Sequence, residues 1–269
     1  MKKLVFFSAA LLIATFQPSW AKQNESLQHV ISGNHRSAAH KARDVYRHPK
    51  QTLEFFEVQP NMTVVEIWPG GAGWYTEILA PYLKQQGKLY AAHFAADSSV
   101  PYFQKNLKKF IGKIKAQPEI YGKLILTELD PPQKLDIAPE ASADRVLTFR
   151  NVHNWMKKGT AEKVFQAMYI ALKPGGILGV VEHRGDASLP QDPKALSGYV
   201  REDYVIDLAK KAGFTLLAKS EINANPKDTK NHPKGVWTLP PSLKLKDQDK
   251  EKYQAIGESD RMTLKFIKK

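Results

Sequence analysis

Residues Thr63 to Leu83, TVVEIWPGGAGWYTEILAPYL, constrain the fold more than any other stretch of the chain. They open on an apolar, β-branched run, Thr63-Val64-Val65-Glu66-Ile67, of the kind a parallel strand buried on both faces requires. A glycine turn follows, Pro69-Gly70-Gly71-Ala72-Gly73. Tyr75, Ile78, Leu79 and Tyr82 then recur at helical spacing, which predicts a helix from about Trp74 or Tyr75. Glycine lets a backbone adopt positive φ and approach a ligand closely, and the start of a helix offers unpaired N–H groups. Glu66, at the strand end, argues against a phosphate cradle because a carboxylate repels phosphate. It suits a cationic or hydroxyl-bearing ligand.

The rest of the chain repeats the alternation of strand and helix. Strands are expected at Leu89–Phe94, Leu124–Asp130, Ala143–Phe149, Ile177–Val181, Phe214–Ala218 and Met262–Ile267. Helices are expected at Tyr102–Lys115, Thr160–Leu172 and Tyr199–Ala212. Lys173-Pro174-Gly175-Gly176 is read as the sharp stop of the second of these. Strands separated by helices predict an α/β fold with a doubly wound, mostly parallel, seven-stranded sheet. Ligands of such sheets bind beyond the carboxyl ends of the strands, where the strand order reverses.

The N-terminus reads as a secretory leader over 1–21. Lys2 and Lys3 precede the apolar run Leu4–Phe16, and Ser19-Trp20-Ala21 has the pattern of a cleavage site. An exported product, periplasmic or secreted, is the expectation, with no later membrane segment. The chain has no cysteine, so neither disulfides nor a diacylated anchor enter the account. A helical segment over 22–50 then precedes the main domain over 51–269. It carries His29, His35, His40, His48 and several arginines. One helix is expected over Ser37–Tyr46, a second from Pro49, and the segment is a candidate lid over the glycine turn. Its histidines lack any metal-ligand spacing, and no metal is expected. The formal charge of +13, or +11 without Lys2 and Lys3, is spread along the chain rather than gathered in a nucleic-acid motif.

Taken together, Glu66-x-x-Pro-Gly-Gly-x-Gly, Asp130 after the third strand, Asp144 entering the fourth and Leu172-Lys173-Pro174-Gly175-Gly176 resemble a class I S-adenosylmethionine-dependent methyltransferase. His48-Pro49, Gly73-Trp74-Tyr75, Asn231-His232-Pro233, Gly235-Val236-Trp237 and Asp260-Arg261-Met262 are similar to an exported group of such chains. The resemblance implies a Rossmann-like fold and S-adenosylmethionine as cofactor, wrapped by Glu66, Pro69, Gly70, Gly71 and Gly73. His93 stands where the family has its ribose-binding acid, Asp130 where the adenine amino group is held, and Asn151 at the substrate edge. Two departures are visible: Trp68 replaces the glycine two residues after the acid, and an imidazole at position 93 cannot accept two hydroxyl hydrogen bonds as a carboxylate does.

Methyl transfer is an in-line displacement that needs alignment and, for a protonated acceptor, a general base. His153 after the fourth strand, with Glu182 and His183 ending the fifth, are the candidate catalytic residues. The plainer reading is that the histidines cap loops and Glu182 pairs with Arg184 or Arg150. Asn225–Pro240, with His232 and Trp237, is a long loop suited to covering a pocket. A small-molecule acceptor is expected; the alternative is an exported, non-catalytic ligand-binding protein on the same fold. A nicotinamide site is excluded, because Gly71–Thr76 lacks the last glycine of G-x-G-x-x-G.

Overall fold

The computed structural model describes residues 26–269, so the expected leader lies outside the described residues. The apolar run after Asn61 forms β1 (Thr63–Ile67). β2 (Lys88–His93), β3 (Ile125–Glu128) and β4 (Ala143–Phe149) pair in parallel around it, β2 and β4 directly and β3 beyond β2. β5 (Leu172–His183) continues the parallel array beside β4, while β7 (Arg261–Lys268) runs antiparallel between β5 and β6 (Phe214–Ser220). The order is β3-β2-β1-β4-β5-β7-β6, a doubly wound, mostly parallel seven-stranded sheet.

Because β1 is buried on both faces, its alternate side chains enter two cores. Val64 packs with Leu53, Phe56, Ile78 and Leu79, whereas Val65 and Ile67 pack with Val146, Phe165, Met168 and Leu264. Each such buried side chain is worth about 1.5–3 kcal/mol relative to exposure. The first face is covered by α1 (Leu27–Ser32), α4 (Pro49–Phe55) and α5 (Thr76–Leu83); α2 (Ala38–Lys41) and α3 (Asp44–Arg47) lie between the first two in sequence. The long basic helix is α6 (Pro101–Ala116), followed by the single turn α7 (Pro118–Tyr121). α8 (Val152–Lys157), α9 (Ala161–Ala171), α10 (Glu202–Lys211) and α11 (Lys250–Ile256) complete the helices. Among the described residues no helix is long and apolar enough to cross a membrane.

Two expectations are corrected. The single helix over Ser37–Tyr46 is two short ones, because the chain turns again at Ala42 and Arg43. Lys173–Gly176 does not merely stop α9; it opens β5, Ala143 pairing with Leu172 before a register shift. α8 begins straight after β4, so His153 lies in its first turn.

Candidate active site

The strand order reverses between β1 and β4, and their carboxyl ends meet there. Asn151 fixes the meeting point: its amide donates to the Ile67 carbonyl at 2.9 Å and to Thr148 Oγ1 at 3.2 Å. Beyond it lies a cavity of about 280 Å³ lined by Glu66, Pro69, Gly70, Tyr75, Arg150 and His153, among others. A second cavity, about 310 Å³, shares Pro69, Gly70, Arg150 and His183 and extends to Arg43, Arg47 and Arg261.

Glu66 is buried and accepts the Thr76 hydroxyl at 2.6 Å. Burial, partly offset by that bond and by Lys113, pushes its carboxyl up to about 7. The three glycines beside it differ in duty. Gly70 has φ +68° and a Cβ there would meet nothing within 4 Å, so its backbone faces open cavity. Gly71 donates its N–H to Asn106 Oδ1 at 3.1 Å. Gly73, at φ +58°, packs against Phe110 and Thr76. Only Gly70 therefore presents bare backbone to a ligand, while Gly71 and Gly73 shape the turn.

The expected catalytic residues form one cluster. His153 Nδ1 lies 3.1 Å from Glu182 Oε1. The Glu182 carboxylate also accepts the backbone N–H of His183 at 2.8 Å, and that of His153 at 3.3 Å. His183 Nδ1 is 2.5 Å from Ser259 Oγ, and the two imidazoles stand 5.4 Å apart between ring centres. Burial, then the charges of His153, Arg261, Arg150 and Arg47, push the His183 imidazole well below its ordinary value, so it is neutral. Glu182 pairs with neither Arg184 nor Arg150. Arg184 is engaged by Glu221 and Asp260 instead. Nitrogen and oxygen atoms of His153, Glu182 and His183 all lie within 4.8 Å of one another, the donor set of a divalent metal. The surrounding arginines raise the local potential and oppose a cation there.

No family model matches the sequence, and no curated protein matches it. Solved structures do match the fold. A SAM-dependent methyltransferase from Aquifex aeolicus superposes with TM-score 0.54 at 13% identity, covering 85% of this chain and 93% of that one. The [4+2]-cyclase SpnF gives 0.57 at 14% identity, over 88% and 85% of the two chains. Human N-acetylserotonin methyltransferase in complex with SAM gives 0.51 at 15% identity, over 90% of this chain and 56% of that one. The fold is that of the class I S-adenosylmethionine-dependent methyltransferases. At these identities the likeness extends to the fold alone.

Glu66, Pro69 and Gly70 line the smaller cavity. His93 and Asp130, expected at the ribose and the adenine, line neither of the two cavities. His93 is fully buried beneath the glycine turn. Its Nδ1 accepts the Phe94 N–H at 2.8 Å and its Nε2 completes no hydrogen bond. Burial lowers its imidazole to about 4, with the Gly70 backbone pulling weakly the other way. Asp130 closes a local bridge with Lys134, donating its N–H to that carbonyl at 2.9 Å. The Trp68 ring packs on Phe94 at 4.9 Å, Phe103 at 5.5 Å and Trp155 at 5.7 Å. Asp144 is structural, accepting the Thr63 N–H and pairing with Lys173.

Sequence reasoning missed the arginines. Arg43 and Arg47 come from the N-terminal segment, Arg150 from the end of β4 and Arg261 from the start of β7. All four line the larger cavity with Glu258. The loop residue Trp237 lies over the same space, 5.9 Å from the His153 ring.

Proposed function

We propose that this chain transfers a methyl group from S-adenosylmethionine to a small acceptor bound in the cavity over its glycine turn. The observation that carries the reading is the buried Glu66 carboxyl beside the open backbone of Gly70, at the carboxyl end of β1 and across from His153. Glu66 and Gly70 fit the methionine end of the cofactor: a carboxylate for its ammonium group and bare backbone for close approach. When bound, the cofactor supplies a methyl group on a sulfonium centre.

The chain's own residues then have distinct duties. Glu182 holds the Nδ1–H tautomer of His153, which leaves Nε2 free to accept a proton from the acceptor. The neutral His183 keeps positive charge away from that proton transfer. Trp237 and Trp74 wall the cavity and exclude water. An exported site of action is part of the proposal and rests on the leader-like residues 1–21.

A second reading keeps the fold and drops the reaction. It is favoured by the Trp68–Phe94–Phe103 cluster, which fills the space between the glycine turn and the ends of β2 and β3. Calorimetric titration with S-adenosylhomocysteine separates the two. Saturable heat that disappears in Glu66→Ala supports methyl transfer, and its absence in the wild type supports a ligand-binding protein.

A further inference from the structure

The larger cavity carries more positive charge than its own residues neutralise. Glu258 is the single carboxylate among its lining residues, against Arg43, Arg47, Arg150, Arg261 and Lys109. Glu258 is shared: it accepts from Arg43 Nε at 2.5 Å, from Arg47 Nε at 3.4 Å and from Arg261. That sharing leaves donors over. Arg43 Nη2, Arg47 Nη1 and Arg261 Nε are buried without any hydrogen-bond partner among the described residues. Arg47 and Arg261 are 3% and 2% exposed, so solvent does not serve them.

Arg150 is more telling. Its side chain makes no hydrogen bond or ion pair among the described residues, and it lines both cavities. Its backbone sits in the left-handed region at φ 63°, where a side chain of this kind is strained. Burial, then the charge of Arg261, brings its guanidinium down to about 10. Arg150 is half-buried and opens its unpaired guanidinium into the cavity, beside the buried, unpartnered donors of Arg43, Arg47 and Arg261. Strained backbone and unused donors in one place are costs that a bound ligand would offset.

We propose that Arg43, Arg47, Arg150 and Arg261 form a receptor for a dianionic oxyanion, a phosphate monoester or paired carboxylates, carried by the molecule that enters the cavity. Guanidinium forks match such oxyanions two bonds at a time. The methionine end of the cofactor is a zwitterion and leaves the excess charge standing, whereas a dianion removes most of it. Trp74, with Arg47 stacked 4.6 Å from its ring centre, and Trp237 wall a space suited to a small molecule rather than a polymer. The inference rests on the methyl-transfer reading only in making this ligand the methyl acceptor.

The test is thermal unfolding of the full chain with inorganic phosphate and, separately, malonate, each against sodium chloride at equal ionic strength. The Tm of the wild type is expected to rise with the logarithm of either oxyanion. In Arg150→Asn, which tolerates the left-handed backbone, the unliganded Tm is expected to stay level or rise while the oxyanion shift disappears. Arg150→Lys keeps the charge but loses the fork, and is expected to weaken the shift. No shift beyond chloride, or a full shift in both variants, overturns the proposal. So does competition between phosphate and S-adenosylhomocysteine, which would make the arginines the clamp of the cofactor's own carboxylate. Phosphate binding without any S-adenosylhomocysteine binding keeps the receptor and removes only methyl transfer.

Discussion

The Trp68 indole donates its N–H to the Leu129 carbonyl at 2.9 Å, tying the residue after β1 to the residue after β3. One side chain thereby occupies the ground between the glycine turn and Asp130.

Replacing this indole tests what it excludes. Trp68→Gly removes a buried aromatic, at a cost of about 3–5 kcal/mol, offset slightly because position 68 has φ 45°. The same change opens space beside the turn. S-adenosylhomocysteine affinity is expected to rise in Trp68→Gly although urea unfolding shows a weaker fold.

Glu66 predicts a specific pH dependence. Its folded-state pKa, about 7, lies above its ordinary 4.5. The folded chain therefore holds a proton that the unfolded chain releases, and stability falls as pH rises from about 4.5 to about 7. The full effect is on the order of 3 kcal/mol. Glu66→Gln lacks this loss, so the stability difference between variant and wild type, measured by urea unfolding, should grow in the variant's favour across that window and then level off.

Glu258 predicts the opposite sign. Burial works against its charge, but Arg261, Arg47 and Arg43 win and hold the carboxyl far below the usual range. Its contribution is complete above the ordinary carboxylate pKa and is lost as pH falls below it. Glu258→Gln leaves the arginines without their shared anion and is expected to cost about 3–5 kcal/mol near neutral pH. The deficit should shrink when phosphate is added.

Glu182→Ala separates orientation from mere folding. It strips the acceptor from two backbone N–H groups, at about 1–3 kcal/mol each, and frees the His153 ring. Glu182→Gln preserves much of the fold yet no longer fixes the tautomer. Turnover with an identified acceptor is expected to drop about 10²–10⁴-fold while S-adenosylhomocysteine binding is unchanged in calorimetry.

Local patterns carried much of the architecture in the sequence. β1 and β4 fall at Thr63–Ile67 and Ala143–Phe149 as the apolar runs indicate, since burial on both faces leaves a dense signature. α8 escaped because its six residues, VHNWMK, are too few to show a period. In the site, Glu66, Pro69 and Gly70 were legible from strand, turn and helix in order, and His153 with Glu182 and His183 from their places at strand ends. The arginine cluster was not, since Arg43 and Arg261 come from opposite ends of the described chain and only folding joins them through Glu258. Nor does sequence say which way an indole points: Trp68 borders the cavity over the glycine turn and packs its ring on Phe94 and Phe103.

The central claim, that the cavity over Gly70 holds S-adenosylmethionine by its methionine end, is met most directly by calorimetric titration of the purified chain with S-adenosylhomocysteine. The account predicts micromolar binding that is lost in Gly70→Val, whose added side chain enters the open space, and in Glu66→Ala. No heat and no thermal shift at millimolar ligand, or binding that both variants keep, would contradict it.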